Sequence, residues 1–270
     1  MAIISTINTS STKANFFSKT MEENIASMAY DMRLQKEFTC VQVNGSHRYD
    51  SNGVCVYCGK DNPPMATLKT GSELNAALLT AMPSGGGTVT FLGQNDIVDE
   101  STYSSKCSLA SEDSYAGVTG YTNSGKTAMV VKCADAFAIK LNEDSAGAFK
   151  YNPAGYQYTL HGLNNLKTNN VVNANNLFHL AIVDLSELAN WDVSNVKDAS
   201  YMFMDCSDIT DVSPLANWKL SSITTIKQIF ADTSVTDATC LENWAIDQNH
   251  VDTNNAFPRT CTATPSWYIN

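Results

Sequence analysis

Three stretches of one pattern decide the reading of this chain: DLSELANW at residues 184–191, DVSPLANW at 211–218 and DATCLENW at 237–244. Each continues through a β-branched or Leu pair to an apolar–Phe dipeptide, Met202-Phe203, Ile229-Phe230 and Ala256-Phe257. The copies start 27 and 26 residues apart. Self-similarity at a fixed period of roughly 20–50 residues is the signature of stacked units that bury their apolar face only against their neighbours. A degenerate earlier copy reads LNNL at 163–166, where Leu163, Asn165 and Leu166 match Leu188, Asn190 and Trp191, and Leu177-Phe178 matches the later dipeptides. Four copies therefore run from about residue 160 to 258. Residues 182–185, echoed at 209–212 and 235–238, suit one strand per turn, with the Leu, Trp and Phe filling the layer between turns.

Working outward, the composition bounds the partners. The chain has 270 residues, 43% apolar and 16% charged, with a net charge of −10. An acidic chain with no Lys/Arg-rich run excludes nucleic acid and an anionic membrane surface as expected partners. Its apolar stretches fall short of the ~20 residues of a membrane-spanning helix. The start MAIISTINTSSTKANFF has no basic region, apolar core or small-residue cleavage site. The expectation is a chain made in the cytoplasm and carried on a larger particle.

The rest of the chain reads as an α+β base under the repeat. Residues 1–38 hold an extended Ser/Thr-rich segment and a helix from about Thr12 to Phe38, with Phe17, Met21, Ile25, Met28 and Met32 on one stripe. Such a stripe must pack on the protomer, on a copy of itself or on an assembly. Residues 39–62 form a cysteine–histidine module, and Asp61-Asn62-Pro63-Pro64 is turn chemistry that marks a boundary. Residues 63–156 form an α/β flank. It has a helix at 72–82 with Ser72 as N-cap, a strand at 88–92, and a hairpin of 117–121 and 128–132 joined by 122–126. Residues 157–270 are the repeat, closed by Pro258 and the tail Pro265-Ser266-Trp267-Tyr268.

Cys40, His47, Cys55 and Cys58 fall as C-x6-H-x7-C-x2-C. Two thiolates two residues apart can face one ion, and four Cys/His ligands close a tetrahedral shell, so this set predicts a structural zinc site. A module this small has too little core to fold unaided, and the metal would supply its stability. The competing reading is Cys55 and Cys58 as a redox pair or local disulfide. The other five cysteines, Cys107, Cys133, Cys206, Cys240 and Cys261, are an odd scattered set, better read as reduced thiols than as a disulfide framework.

Other chemistry-bearing patterns are weaker. GYTNSGKT at 120–127 fits G-x-x-x-x-G-K-[ST] literally. A phosphate loop follows an apolar strand and opens a helix; here a polar stretch precedes it and AMVV follows, so a hairpin turn explains the same residues. His161, His179 and His250 lie in or beside the repeat and read as structural. Asp184, Asp211 and Asp237 could form a cation ladder, but read first as caps of strand ends or turns. No catalytic residue is assigned.

Asp184-Leu185-Ser186, Trp191, Val193-Ser194-Asn195-Val196, Met202-Phe203 and Cys206-Ser207 together resemble the unit of the BspA-like leucine-rich repeat family, the Mycoplasma-lipoprotein-type surface repeat. Lys219-Leu220-Ser221-Ser222-Ile223 and Ala231-Asp232-Thr233 depart from it. The upstream helix, strand and hairpin look like the family's flank, extending the likeness over roughly 68–260. The resemblance implies a right-handed, LRR-like solenoid in a non-enzymatic surface or adhesion module, and His47 to Cys55 resembles a zinc-ribbon-like insertion. The expected function is a phage virion-associated structural protein. Its N-terminus would dock on the assembly in multiple copies or as a homo-oligomer, and its repeat would meet a host-surface protein or glycan. The rival expectations are a bacterial cell-surface adhesin and a nucleotide-binding enzyme using Lys126.

Overall fold

The computed structural model describes residues 65–269 apart from 84–86, 94, 115, 134–137, 152–156 and 245. The predicted N-terminal helix and the four metal-ligand candidates Cys40, His47, Cys55 and Cys58 lie outside the described residues. Residues 63–270 form one compact unit. Its architecture is mixed α/β with two sheets and few helices. The strands are β1 (Met65–Thr67), β2 (Gly87–Phe91), β3 (Ser105–Ser108), β4 (Val118–Thr122), β5 (Ala128–Cys133), β6 (Ala138–Lys140), β7 (Tyr158–His161), β8 (Leu166–Lys167) and β9 (Ile182–Val183). The α-helix among the described residues is α1 (Gly71–Ala81).

The larger sheet has the order β3-β4-β5-β2-β7-β9 and the smaller β1-β6-β8. β2 pairs parallel with both β5 and β7, while β3, β4 and β5 form an antiparallel meander. The predicted strand at 88–92 is β2, and the predicted hairpin is β4–β5, joined by a turn in which Asn123 Oδ1 accepts from the N–H groups of Thr127 and Ala128. The helix starts earlier than expected. Ser72 lies inside α1, and the flanking residue is Thr70, whose N–H and hydroxyl both donate to the Glu73 carboxylate. Both bonds run from Thr70 to Glu73, so the residue that flanks the helix start is Thr70 and not Ser72.

One continuous core runs from Ala66 and Leu68 through Val89, Phe91 and Leu160 to Trp244 and Phe257. Flank and repeat thus share a single interior. α1 closes the N-terminal end of the repeat: Gly71 N–H donates to Asp144 C=O at 2.7 Å, and the buried Asn75 amide donates to the carbonyls of Ala148 and Lys150 at 3.4 and 3.0 Å. A Cβ at position 71 would stand 2.2 Å from Ala146 O, so only glycine allows this approach.

Candidate functional site

The repeat is built on a ladder of phenylalanines. Phe149, Phe178, Phe203, Phe230 and Phe257 stack in register with centroid separations of 5.7, 5.5, 5.5 and 5.9 Å. The ladder starts one rung before the four copies visible in the sequence, at Phe149, whose N–H donates to Leu177 C=O. Beside it Trp218, Trp244 and Trp267 stack at 6.2 and 6.3 Å. The indole N–H of Trp191, Trp218, Trp244 and Trp267 donates back to the carbonyl of Leu163, Leu188, Leu215 and Leu241 respectively. Leu163 therefore does stand where the degenerate first copy placed it. Trp267 and Tyr268, both on the predicted cap, cover Phe257 at 6.0 and 5.0 Å.

The expected strand per turn is not how successive copies join. Ile182–Val183 pairs with β7, but 209–212 and 235–238 hold no strand. Between copies the ladder passes through the turn that carries the Phe. The N–H groups of Ala199, Tyr201, Phe203 and Asp205 donate to the carbonyls of Thr225, Lys227, Ile229 and Ala231 at 3.0, 2.9, 2.9 and 3.0 Å. The intervening N–H groups of Met202, Met204 and Cys206 donate three residues back, to Ala199, Tyr201 and Phe203. Left-handed residues make this alternation possible: Tyr201 and Asp205 both have φ 60°, and Gln228 and Asp232 repeat it at 54° and 56°. A side-chain-bearing residue there costs on the order of 1 kcal/mol, offset by the interturn hydrogen bonds.

Only the Ser200 N–H is left over, and Asp198 Oδ1 accepts it at 2.8 Å. The same place is held by Asp144, Asn173, Thr225 and Asp252, which accept from Ala146, Asn175, Lys227 and Asn254. These five residues also form a continuous column of parallel bridges. Every backbone donor from Ala199 to Cys206 is thereby satisfied, as a buried turn requires. Sequence reading missed this column; its signal was an Asp, Asn or Thr five residues before each Phe.

The aspartates that were singled out are caps. Asp184, Asp211 and Asp237 accept from the N–H groups of Ser186, Ser213 and Thr239 at the starts of short 3-10 turns. Hydrogen bonds to the charged form, from the Ser186 hydroxyl and then its N–H, hold Asp184 below the ordinary carboxylate range; the Thr239 hydroxyl and N–H do the same for Asp237. Among the described residues no group of three or more His, Cys, Asp or Glu could hold a metal ion.

The outward side of the Phe turns is polar and aromatic. His179 Nε2 lies 3.0 Å from Asp205 Oδ2 and packs edge-on to Tyr151 at 5.2 Å. His250 Nδ1 lies 2.7 Å from Asp247 Oδ2, and His161 is exposed at the end of β7. Cys206 is buried, its thiol donating to Phe178 C=O at 3.0 Å, and burial pushes it up to about 12. Among the other described cysteines Cys133 is buried, and Cys107, Cys240 and Cys261 are half-buried. Lys126 sits with φ 53° in the β4–β5 turn, and strand β5 rather than a helix follows it. The amide-lined helix start that cradles phosphates is therefore missing at 120–127.

Residues 146–265 match a family model described as a Mycoplasma protein of unknown function, DUF285, a family related to the BspA-like surface repeat proteins. No curated protein and no solved structure matches the chain. No helix among the described residues is long and apolar enough to cross a membrane.

Proposed function

We propose that this chain is a non-enzymatic display protein, in which residues 157–270 act as a short LRR-like solenoid presenting one face to a partner while the N-terminal segment docks on a larger assembly. The observation that carries this reading is the turn ladder itself. It commits the Phe and Trp rings to stacking and the Asx column to backbone N–H groups, and leaves Tyr151, His179, Tyr201, Asp205 and Gln228 half-buried on successive turns. A rigid surface of Tyr, His, Asp and Gln suits recognition of a host-surface protein or a glycan. The family match over 146–265 adds a likeness to surface repeat proteins.

In this reading the base sets the location. The amphipathic stripe of Phe17, Met21, Ile25, Met28 and Met32 is the docking element on a phage virion, in multiple copies. Cys40, His47, Cys55 and Cys58 hold a structural zinc that stiffens the junction. Incorporation of the full chain and of a chain lacking residues 1–38 into particles, with the zinc content of each, tests this. The expected result is one zinc per full chain and loss of incorporation on truncation. Normal incorporation of the truncated chain would overturn the docking role. The family model's Mycoplasma description favours a second reading, a cellular surface adhesin, and surface labelling of intact bacteria that express the chain discriminates the two.

A further inference from the structure

The left-handed positions of the Phe turns carry side chains that the fold does not ask for. Two residues before each Phe of the ladder stand Gly147, Asn176, Tyr201, Gln228 and Asn255, at φ 65°, 55°, 60°, 54° and 52°. Glycine takes this conformation freely and asparagine visits it readily. Gly147 shows that the turn needs no side chain there, since its N–H still donates to Asn175 C=O at 2.8 Å. Tyr201 and Gln228 are large residues at positive φ, which costs stability. Such outliers gather where the side chain itself is used.

The row is polar, uncharged and in step. The Tyr201 hydroxyl and the side-chain amides of Gln228 and Asn255 have no hydrogen-bond partner among the described residues. Tyr201 and Gln228 are half-buried, and Asn255 is exposed. Each member lies one turn from the next: the N–H groups of Asn176, Tyr201 and Gln228 donate to the carbonyls of Ser200, Lys227 and Asn254 at 2.9, 2.9 and 3.0 Å. The row therefore shares the pitch of the Phe ladder, 5.5, 5.5 and 5.9 Å from Phe178 to Phe257. That pitch sorts the occupants. A bound β-strand repeats its same-face side chains about every 6.7 Å and drifts out of step within a few turns. A docked helix needs an apolar groove, and this row offers amides and a phenol. An extended β-1,4-linked polysaccharide advances by nearly the row's own step per sugar ring, and its hydroxyls suit neutral donors and acceptors.

We propose that Asn176, Tyr201, Gln228 and Asn255 form a binding track for a linear, neutral β-1,4-linked polysaccharide, one sugar ring to a turn along the stack. This rests on the display role and names the ligand of the repeat. The amides and the phenol hydrogen-bond the ring hydroxyls, and Tyr201 adds an aromatic surface for the C–H face of a sugar. With one contact per turn, affinity grows with chain length and levels off once every rung is engaged.

The test titrates the full chain with cellohexaose in a calorimeter, with maltohexaose, whose α-links curl the chain, as control. The expected result is saturable binding of cellohexaose with Kd below about 1 mM, binding about tenfold weaker for cellobiose, and none for maltohexaose. Tyr201→Gly should weaken binding about tenfold while Tm stays within about 4 °C of the parent, because relief of the positive φ offsets the lost packing. Gln228→Ala should weaken binding in the same way from the next rung. Equal binding of the two hexaoses, equal affinity for cellobiose and cellohexaose, or full affinity in both variants would overturn the proposal. Absence of saccharide binding in a chain that still joins particles would remove the ligand and leave the display role standing.

Discussion

The flank and the repeat solve the same backbone problem by different means. In the flank, β2 lies between two parallel partners and its donors and acceptors are consumed by strand pairing. Any side chain that suits a pleated, half-buried surface is acceptable there, so the flank leaves no fixed spacing in the sequence. In the repeat, turn stacks on turn, and regular strand pairing is replaced by three local devices: left-handed residues on both sides of the Phe, an Asx or Thr acceptor five residues before it, and a ring per layer. Each device constrains residue type at a fixed place. The stacked turn is the more legible element because it is the more demanding one.

The largest test of that contrast is removal of a ring. Phe203 is fully buried between Phe178 and Phe230, and Phe203→Ala should lower unfolding stability by about 3–5 kcal/mol in denaturant titration. Thr119→Ala, at a partly exposed place on β4, should change it by less than about 0.5 kcal/mol. Equal losses would mean that the Phe ladder is not what holds the repeat.

The junction between the two regions comes next. Asn75 caps carbonyls of the first turn that no earlier copy exists to pair. Asn75→Leu fits the site in size but leaves the Ala148 and Lys150 carbonyls without their donor, at a cost of about 1–3 kcal/mol. Hydrogen exchange should quicken first in residues 144–151. Uniform loss of protection through β2 and β5 instead would place the join elsewhere.

The smallest effect concerns the caps. Asp237 is held below its ordinary value of 3.8 by the Thr239 hydroxyl and N–H. A carboxylate with a depressed folded value contributes stability above its unfolded value and loses it as pH falls through the folded one. Asp237→Asn should therefore melt slightly below the parent chain at pH 7. That gap should close as pH drops below 3.8. A gap that persists at pH 2 would show that the carboxylate charge is not the cause.

Several parts of this protein were legible in the residues alone. The Phe and Trp spacing marked the layers, Asp184, Asp211 and Asp237 marked turn caps, and Thr122 to Lys126 marked a hairpin. The strand per turn was misread because Ile182–Leu185 has strand composition, while the real ladder runs through Ala199 to Cys206, a segment with no strand signal. The rung at Phe149 was hidden because its copy lacks the Asp-x-x-x-Leu start. The closure of the first turn was invisible: Asn75 on α1 meets the carbonyls of Ala148 and Lys150, more than 70 residues away, and no spacing in sequence links them.

By itself, then, the sequence determined the repeat, its period and its apolar layers, because each copy must present the same residues to its neighbour. Only the tertiary structure decided how the copies join and what closes their first turn. Those depend on which backbone donors remain unpaired after the chain has folded, and no local pattern records that.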